Sequence, residues 1–220
     1  DPLTGRLKGD GQTCYAAMLY HNLYENDKEF DLIYSHLIRT INEADGHLDY
    51  GILGNKYVNN ILGKKGRADL IYSMITKDTF PSFAHTIKEL GATTLYECWN
   101  GEGSRNHHMF GDISATFFKY FAGIRPDPDY PGFKRFTIAP GLNTPLTEVN
   151  AVYESMHGTI RSSFIKMDNK TMLEIEVPVN TCAVLKLDIG MEVYEDGNLI
   201  GKEYMELESG RYKLEVRKTV

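Results

Sequence analysis

Along this chain the spacing of apolar residues changes once, near residue 126, from the three- and four-residue step of a helix to the two-residue step of a strand. Before that point Phe30, Ile33, Tyr34, Leu37, Ile38 and Ile41 fall on one helix face. Asn26 is placed to cap that helix, with Glu29 as reciprocal partner, and Gly46 follows its end. The pattern predicts an earlier helix from about Gly11 to Tyr24, with Tyr15, Met18, Leu19 and Leu23 as its stripe. Further helices are expected at Asn55–Leu62, Arg67–Thr76 and Pro81–Leu90, with Pro81 in the first turn. The last should run from His107 to Gly123, with Phe110, Ile113, Phe117, Tyr120, Phe121 and Ile124 on one face. Six helices with short links suggest antiparallel pairs.

Three prolines in Arg125-Pro126-Asp127-Pro128-Asp129-Tyr130-Pro131-Gly132 stop the helical pattern. Beyond them Leu173-Glu174-Ile175-Glu176-Val177 and Tyr212-Lys213-Leu214-Glu215-Val216-Arg217 alternate cleanly. Strands are also expected at 133–138, 147–154, 159–167 and 183–187, and Asp196-Gly197 marks a tight hairpin turn. Two domains follow: residues 1–126, helical, and residues 127–220, an antiparallel β-sandwich.

Composition narrows the function classes. The 24 Lys and Arg against 30 Asp and Glu give a net charge of −6, which disfavours a phosphate backbone as partner. No apolar run approaches the roughly 20 residues that span a bilayer. Cys14, Cys98 and Cys182 lie far apart and form no metal-binding or disulfide pattern, so each is expected as a buried or half-buried thiol. The His residues lack metal-ligand spacing, and neither a nucleophile elbow nor a phosphate-cradling loop is present. No charged-then-apolar leader follows Asp1, and the compartment stays open. The abrupt turn-forming start, Asp1-Pro2-Leu3-Thr4-Gly5, suggests a piece of something longer.

Chemistry concentrates in Thr93-Thr94-Leu95-Tyr96-Glu97-Cys98-Trp99-Asn100-Gly101-Glu102-Gly103-Ser104-Arg105-Asn106-His107-His108. It holds the only Trp, two carboxylates, an Arg and two His in one link between helices. A flat ring beside carboxylates suits a sugar, whose C–H faces pack on the ring while its hydroxyls meet polar groups. Glu97 can act as general base, or as general acid if its proton is held more tightly. The competing reading is a polar loop in which Glu97 caps a helix or pairs with Arg105.

Five segments, in order, resemble the α-L-rhamnosidases of glycoside hydrolase family 78. Gly11-Gln12-Thr13-Cys14-Tyr15-Ala16 is similar to the polar start of a barrel helix, and Gly46-His47-Leu48-Asp49-Tyr50-Gly51-Ile52-Leu53-Gly54 to GHLTTGFLG. Phe80-Pro81-Ser82-Phe83 is similar to YPSW, and Gly91-Ala92-Thr93-Thr94-Leu95-Tyr96-Glu97-Cys98-Trp99 to GATTLWERW. Asn106-His107-His108-Met109-Phe110-Gly111, followed by Ala122-Gly123-Ile124-Arg125-Pro126-Asp127, is similar to NHYMFG and AGIRPD. The resemblance implies the second half of an (α/α)6 barrel followed by a C-terminal β-sandwich. It implies an inverting hydrolase in which Glu97 is the general base and the general acid lies outside this chain. His107, Trp99, Phe83, Tyr96 and Asn106 would bind a terminal rhamnose. Its partners would be a rhamnose-containing glycoside and the barrel's other half, with no cofactor, metal, nucleic acid or membrane. Where the family has Arg after the base this chain has Cys98; Tyr96 and Phe83 replace two Trp, and the stretch from Trp99 to Asn106 is short. A fixed donor to the base is thereby lost. A non-catalytic carbohydrate-binding piece and another (α/α)6 hydrolase or lyase are the alternatives.

Overall fold

A computed structural model describes residue 1 and residues 3–219, in two compact units, Asp1–Thr116 and Phe117–Val220. The division falls ten residues before the sequence change at 126. Pro2 of the expected opening turn lies outside the described residues.

The first unit is built from helices α1 (Gln12–Tyr20), α2 (Asp27–Glu43), α3 (Ile52–Lys64), α4 (Ala68–Ile75), α5 (Phe83–Leu90) and α6 (Asp112–Thr116). Helix α3 is the hub, packing on α1, α4 and α6. Gly54 permits this closeness: a Cβ there would stand 2.3 Å from Cβ of Tyr50 and 2.5 Å from Oγ1 of Thr13. The amphipathic face of α2 is as expected, with Ile33, Leu37 and Ile41 fully buried. Asn26 Oδ1 accepts the Glu29 N–H at 3.1 Å, but the Glu29 carboxylate reaches back to the Glu25 N–H rather than to that of Asn26.

Three helix expectations are corrected. Helix α1 stops at Tyr20, because Asn22 turns left-handed (φ 54°) and the Leu23 N–H returns to the Met18 carbonyl; Leu23 is consequently exposed. Pro81 lies before α5, whose cap is Ser82, accepting the His85 N–H at 2.9 Å. The expected helix 107–123 is broken into a 3-10 turn (His108–Gly111), α6 and a π-helical turn (Phe117–Phe121). Ile124 leaves it for a strand and Phe117 is exposed.

The second unit is a pair of sheets. One has the order β1 (Ile124–Pro126), β2 (Arg135–Ile138), β6 (Cys182–Lys186), β9 (Tyr204–Leu207). The other has the order β3 (Glu148–Ser155), β4 (Gly158–Lys166), β5 (Thr171–Val177), β10 (Gly210–Lys218), β7 (Met191–Glu195), β8 (Asn198–Gly201). One buried cluster draws on both, with Phe136, Ile138 and Leu185 from the first and Phe164, Leu173, Ile175 and Leu214 from the second. Alternation in β5 and β10 sends Leu173, Ile175, Leu214 and Val216 inward, while Glu174 and Glu176 meet Lys213 and Arg211 across the outer face. Asp196 and Gly197 both have positive φ (48° and 81°), the signature of the expected tight hairpin. β2 and β6 pair in parallel, so the unit is antiparallel-rich rather than wholly antiparallel. β1 and β9 lie outside the expected strands; three and four residues long, they are too short for alternation to stand out.

Candidate active site

The link from α5 to the 3-10 turn contains neither helix nor strand, yet its ends are pinned to each other. Gly91 closes α5 in the left-handed conformation (φ 63°), freeing the chain to turn away. The His107 N–H donates to the Leu95 carbonyl at 2.7 Å and the Glu97 N–H to the Ser104 carbonyl at 2.8 Å. The Thr94 hydroxyl donates to the Arg105 carbonyl. Residues 94–107 therefore fold back as a narrow hairpin-like excursion, with Gly101 and Gly103 at positive φ in its turn.

That fold-back brings Glu97 and His107 together. Oε2 of Glu97 accepts the Ser104 N–H at 2.9 Å and stands 3.8 Å from Nδ1 of His107. The carboxylate side chain is 44% exposed and the imidazole side chain 15%. A half-exposed carboxylate anchored through one oxygen beside an imidazole can take a proton from a bound water while the imidazole meets a hydroxyl. Among the described residues Glu97 caps no helix, and the Arg105 guanidinium lies 5.3 Å over the Tyr96 ring rather than on the carboxylate; the structural part Glu97 does play is to close the loop on the Ser104 N–H.

Phe83, Tyr96 and Trp99 share a cleft of about 240 Å³ with Thr86, Ile87 and Ala92. Neither Glu97 nor His107 lines it, so the expected site residues form two groups, a polar pair and an aromatic cleft. Trp99 is half-buried and set edge-on against Phe83 (centroids 5.0 Å) and Phe110 (4.8 Å). Its indole N–H donates to the Tyr50 carbonyl at 2.8 Å, so this ring is an anchor of the loop as well as a wall. Asn106 is exposed and donates its backbone N–H to Oγ of Ser104 at 3.3 Å.

Sequence reasoning overlooked the buried polar chain behind the site. The Tyr50 hydroxyl meets Oδ1 of Asn59 at 3.4 Å, Asn59 donates to Asn55, and Asn55 donates to the Phe110 carbonyl at 3.3 Å. Burial pushes the Tyr50 hydroxyl well above the usual phenol range, so it remains a neutral donor. A signal was available: Asn55 and Asn59, poor helix formers, stand four apart on one face of α3, beside Val58 and Leu62. Of the cysteines, Cys182 is half-buried as expected, but Cys14 and Cys98 are exposed. Among the described residues no three His, Cys, Asp or Glu side chains gather as a metal site would require, and no helix is long and apolar enough to cross a membrane.

Paired helices carrying a carboxylate, an imidazole and aromatic rings on one link, followed by an antiparallel-rich β unit, are the arrangement that the resemblance predicts. The family models agree: residues 2–121 match the bacterial alpha-L-rhamnosidase 6 hairpin glycosidase domain, and residues 123–198 the bacterial alpha-L-rhamnosidase C-terminal domain. The chain belongs to the bacterial α-L-rhamnosidase family.

Among curated relatives, an alpha-L-rhamnosidase of Formosa agariphila is 34% identical over 80% of this chain, and one of Alteromonas sp. 32% identical over 80%. The chain spans about a fifth (20%) of the length of each. The solved alpha-L-rhamnosidase from Dictyoglumus thermophilum superposes with a TM-score of 0.83 at 30% identity, covering 96% of this chain and 27% of that one. The Streptomyces avermitilis alpha-L-rhamnosidase complexed with L-rhamnose gives 0.82 at 27% identity, covering 97% and 22%.

Proposed function

We propose that this chain supplies the general-base side of an inverting α-L-rhamnosidase, with Glu97 as the base and residues 1–126 as the second half of the catalytic barrel. Water attacks the anomeric carbon of a terminal α-L-rhamnoside from the face opposite the departing oxygen. Glu97 takes the proton from that water. A carboxylic acid outside this chain, standing roughly 6.5–9.5 Å from the Glu97 carboxyl so that the water fits between the two, protonates the leaving oxygen. His107 hydrogen-bonds a sugar hydroxyl, Asn106 adds a polar contact, and Phe83, Tyr96 and Trp99 supply the apolar wall.

The observation that carries this reading is the Glu97–His107 pair, with one carboxylate oxygen anchored and the side chain 44% exposed. Support for the sugar comes from the Streptomyces avermitilis relative, solved with L-rhamnose. In the complete enzyme polypeptide, Glu97→Gln should abolish most release of rhamnose while leaving rhamnose affinity within a few fold; near-normal turnover removes the base assignment.

The aromatic cleft favours a second reading, a carbohydrate-binding role without hydrolysis, because it excludes Glu97 and His107. Under that reading Phe83→Ala weakens sugar binding and Glu97→Gln changes nothing.

A further inference from the structure

We infer that Gly103 and Ser104 are positioning residues for the base, holding the Glu97 carboxylate in place through the Ser104 backbone N–H. The inference rests on Glu97 being the base. Cys98 follows Glu97, and Arg105 is engaged over Tyr96, so neither neighbouring position supplies a charged donor. The donor present is the Ser104 N–H, 2.9 Å from Oε2. It is held in line because residues 97 and 104 also share the Glu97 N–H to Ser104 carbonyl bond at 2.8 Å. Engaging one oxygen this way leaves the other free to meet water.

Gly103 makes the arrangement possible in two ways. Its φ of 74° lies in the left-handed region, and a Cβ on it would stand 2.8 Å from Oε2 and 3.2 Å from Cδ of Glu97. The atoms in conflict are the end of a flexible side chain, so an added methyl displaces the carboxylate rather than the loop. Gly101 provides the contrast. It is equally left-handed (φ 83°), but a Cβ there meets Leu90 at 3.2 Å and lies 3.9 Å from Tyr96, not near Glu97. Strain of the backbone is common to both positions; displacement of the base is specific to Gly103.

The test has two arms. In amide NMR spectra of this chain, the Ser104 amide proton should move upfield in Glu97→Gln, where a carboxylate acceptor becomes a weaker amide, and in Gly103→Ala, but stay in place in Gly101→Ala. In the complete enzyme, Gly103→Ala should lower kcat by about 10²-fold with KM within a few fold, since a base misplaced by an ångström is costly. Gly101→Ala should lose at least tenfold less, and Glu97→Gln/Gly103→Ala should be no slower than Glu97→Gln alone. An unmoved Ser104 amide in Glu97→Gln, or equal losses at Gly101 and Gly103, overturns the inference. Should Gly103→Ala not fold, the Glu97→Gln spectrum still decides. Normal turnover by Glu97→Gln overturns the base reading itself; a slow Glu97→Gln beside a full-rate Gly103→Ala overturns only the positioning role.

Discussion

In the β unit, residues are held by repetition: β5 pairs with β10 through seven consecutive residue pairs from Gly210–Val177 to Val216–Thr171, above one apolar cluster. Between Gly91 and His107 there is no such repetition. Backbone bonds within it (Glu97 to Ser104, His107 to Leu95, Gly101 to Cys98), one from Ala92 back to Thr86, and a few side-chain bonds hold the segment, with glycines at its turns. The contrast separates stability from chemistry. Losses in the sheets are shared by a whole cooperative core. Losses at Glu97 fall on one half-exposed carboxylate and leave the rest of the unit standing, whereas Trp99 ties the link to the unit.

The contrast breaks most sharply at Glu97. Glu97→Gln should cost about 10²- to 10⁴-fold in turnover yet shift unfolding by no more than about 1 kcal/mol, losing one charge-assisted bond at an exposed site. Kinetics paired with chemical denaturation checks both halves. The mirror image is Phe136→Ala in β2, fully buried in the sheet cluster: about 3–5 kcal/mol of stability lost from the β unit, measured by denaturant midpoint. Trp99→Phe sharpens the comparison, because Trp99 belongs to both categories. It keeps an aromatic ring but orphans the Tyr50 carbonyl, at a cost of about 1–3 kcal/mol to the helical unit, and its thermal scan should show the β transition unmoved. A smaller effect is expected at Asn26→Ala, which removes the α2 cap for about 1 kcal/mol, readable by circular dichroism.

The smallest is a pH effect. The Tyr15 hydroxyl, 2.6 Å away, and then Arg39 hold the Asp10 carboxyl below its usual value of 3.8. A depressed folded value means the stabilisation is present above pH 3.8 and is lost as pH falls through the lower folded value. Tyr15→Phe, which removes only the hydroxyl, should therefore flatten the acid limb of the helical unit's stability profile; an unchanged limb assigns that limb to other carboxylates.

Legibility followed the same division. Where burial enforces a period, as along Ile33, Leu37 and Ile41 or Leu173, Ile175 and Val177, the pattern was plain because one face must leave water. Boundaries set by single backbone conformations were weaker: Asn22 ends α1 through a left-handed turn, and an Asn signals such a stop less sharply than the apolar Leu23 beyond it argues for continuation. The parallel β2–β6 pair is equally hidden, since strand order depends on chain partners far apart in sequence. In the site, the choice of Glu97 and His107 as candidates followed from the resemblance in their flanking segments. That Phe83, Tyr96 and Trp99 line a cleft apart from this pair did not, because a link without periodicity carries no information about which way its side chains face.

Azide rescue asks the central question most directly. Removing the base as Glu97→Ala in the complete enzyme opens space on the water side, where azide can attack the anomeric carbon without needing a base. The account predicts that added azide restores turnover on an activated α-L-rhamnoside and that the product is the β-configured rhamnosyl azide. An α-configured azide, or undiminished hydrolysis by Glu97→Ala without azide, would contradict it.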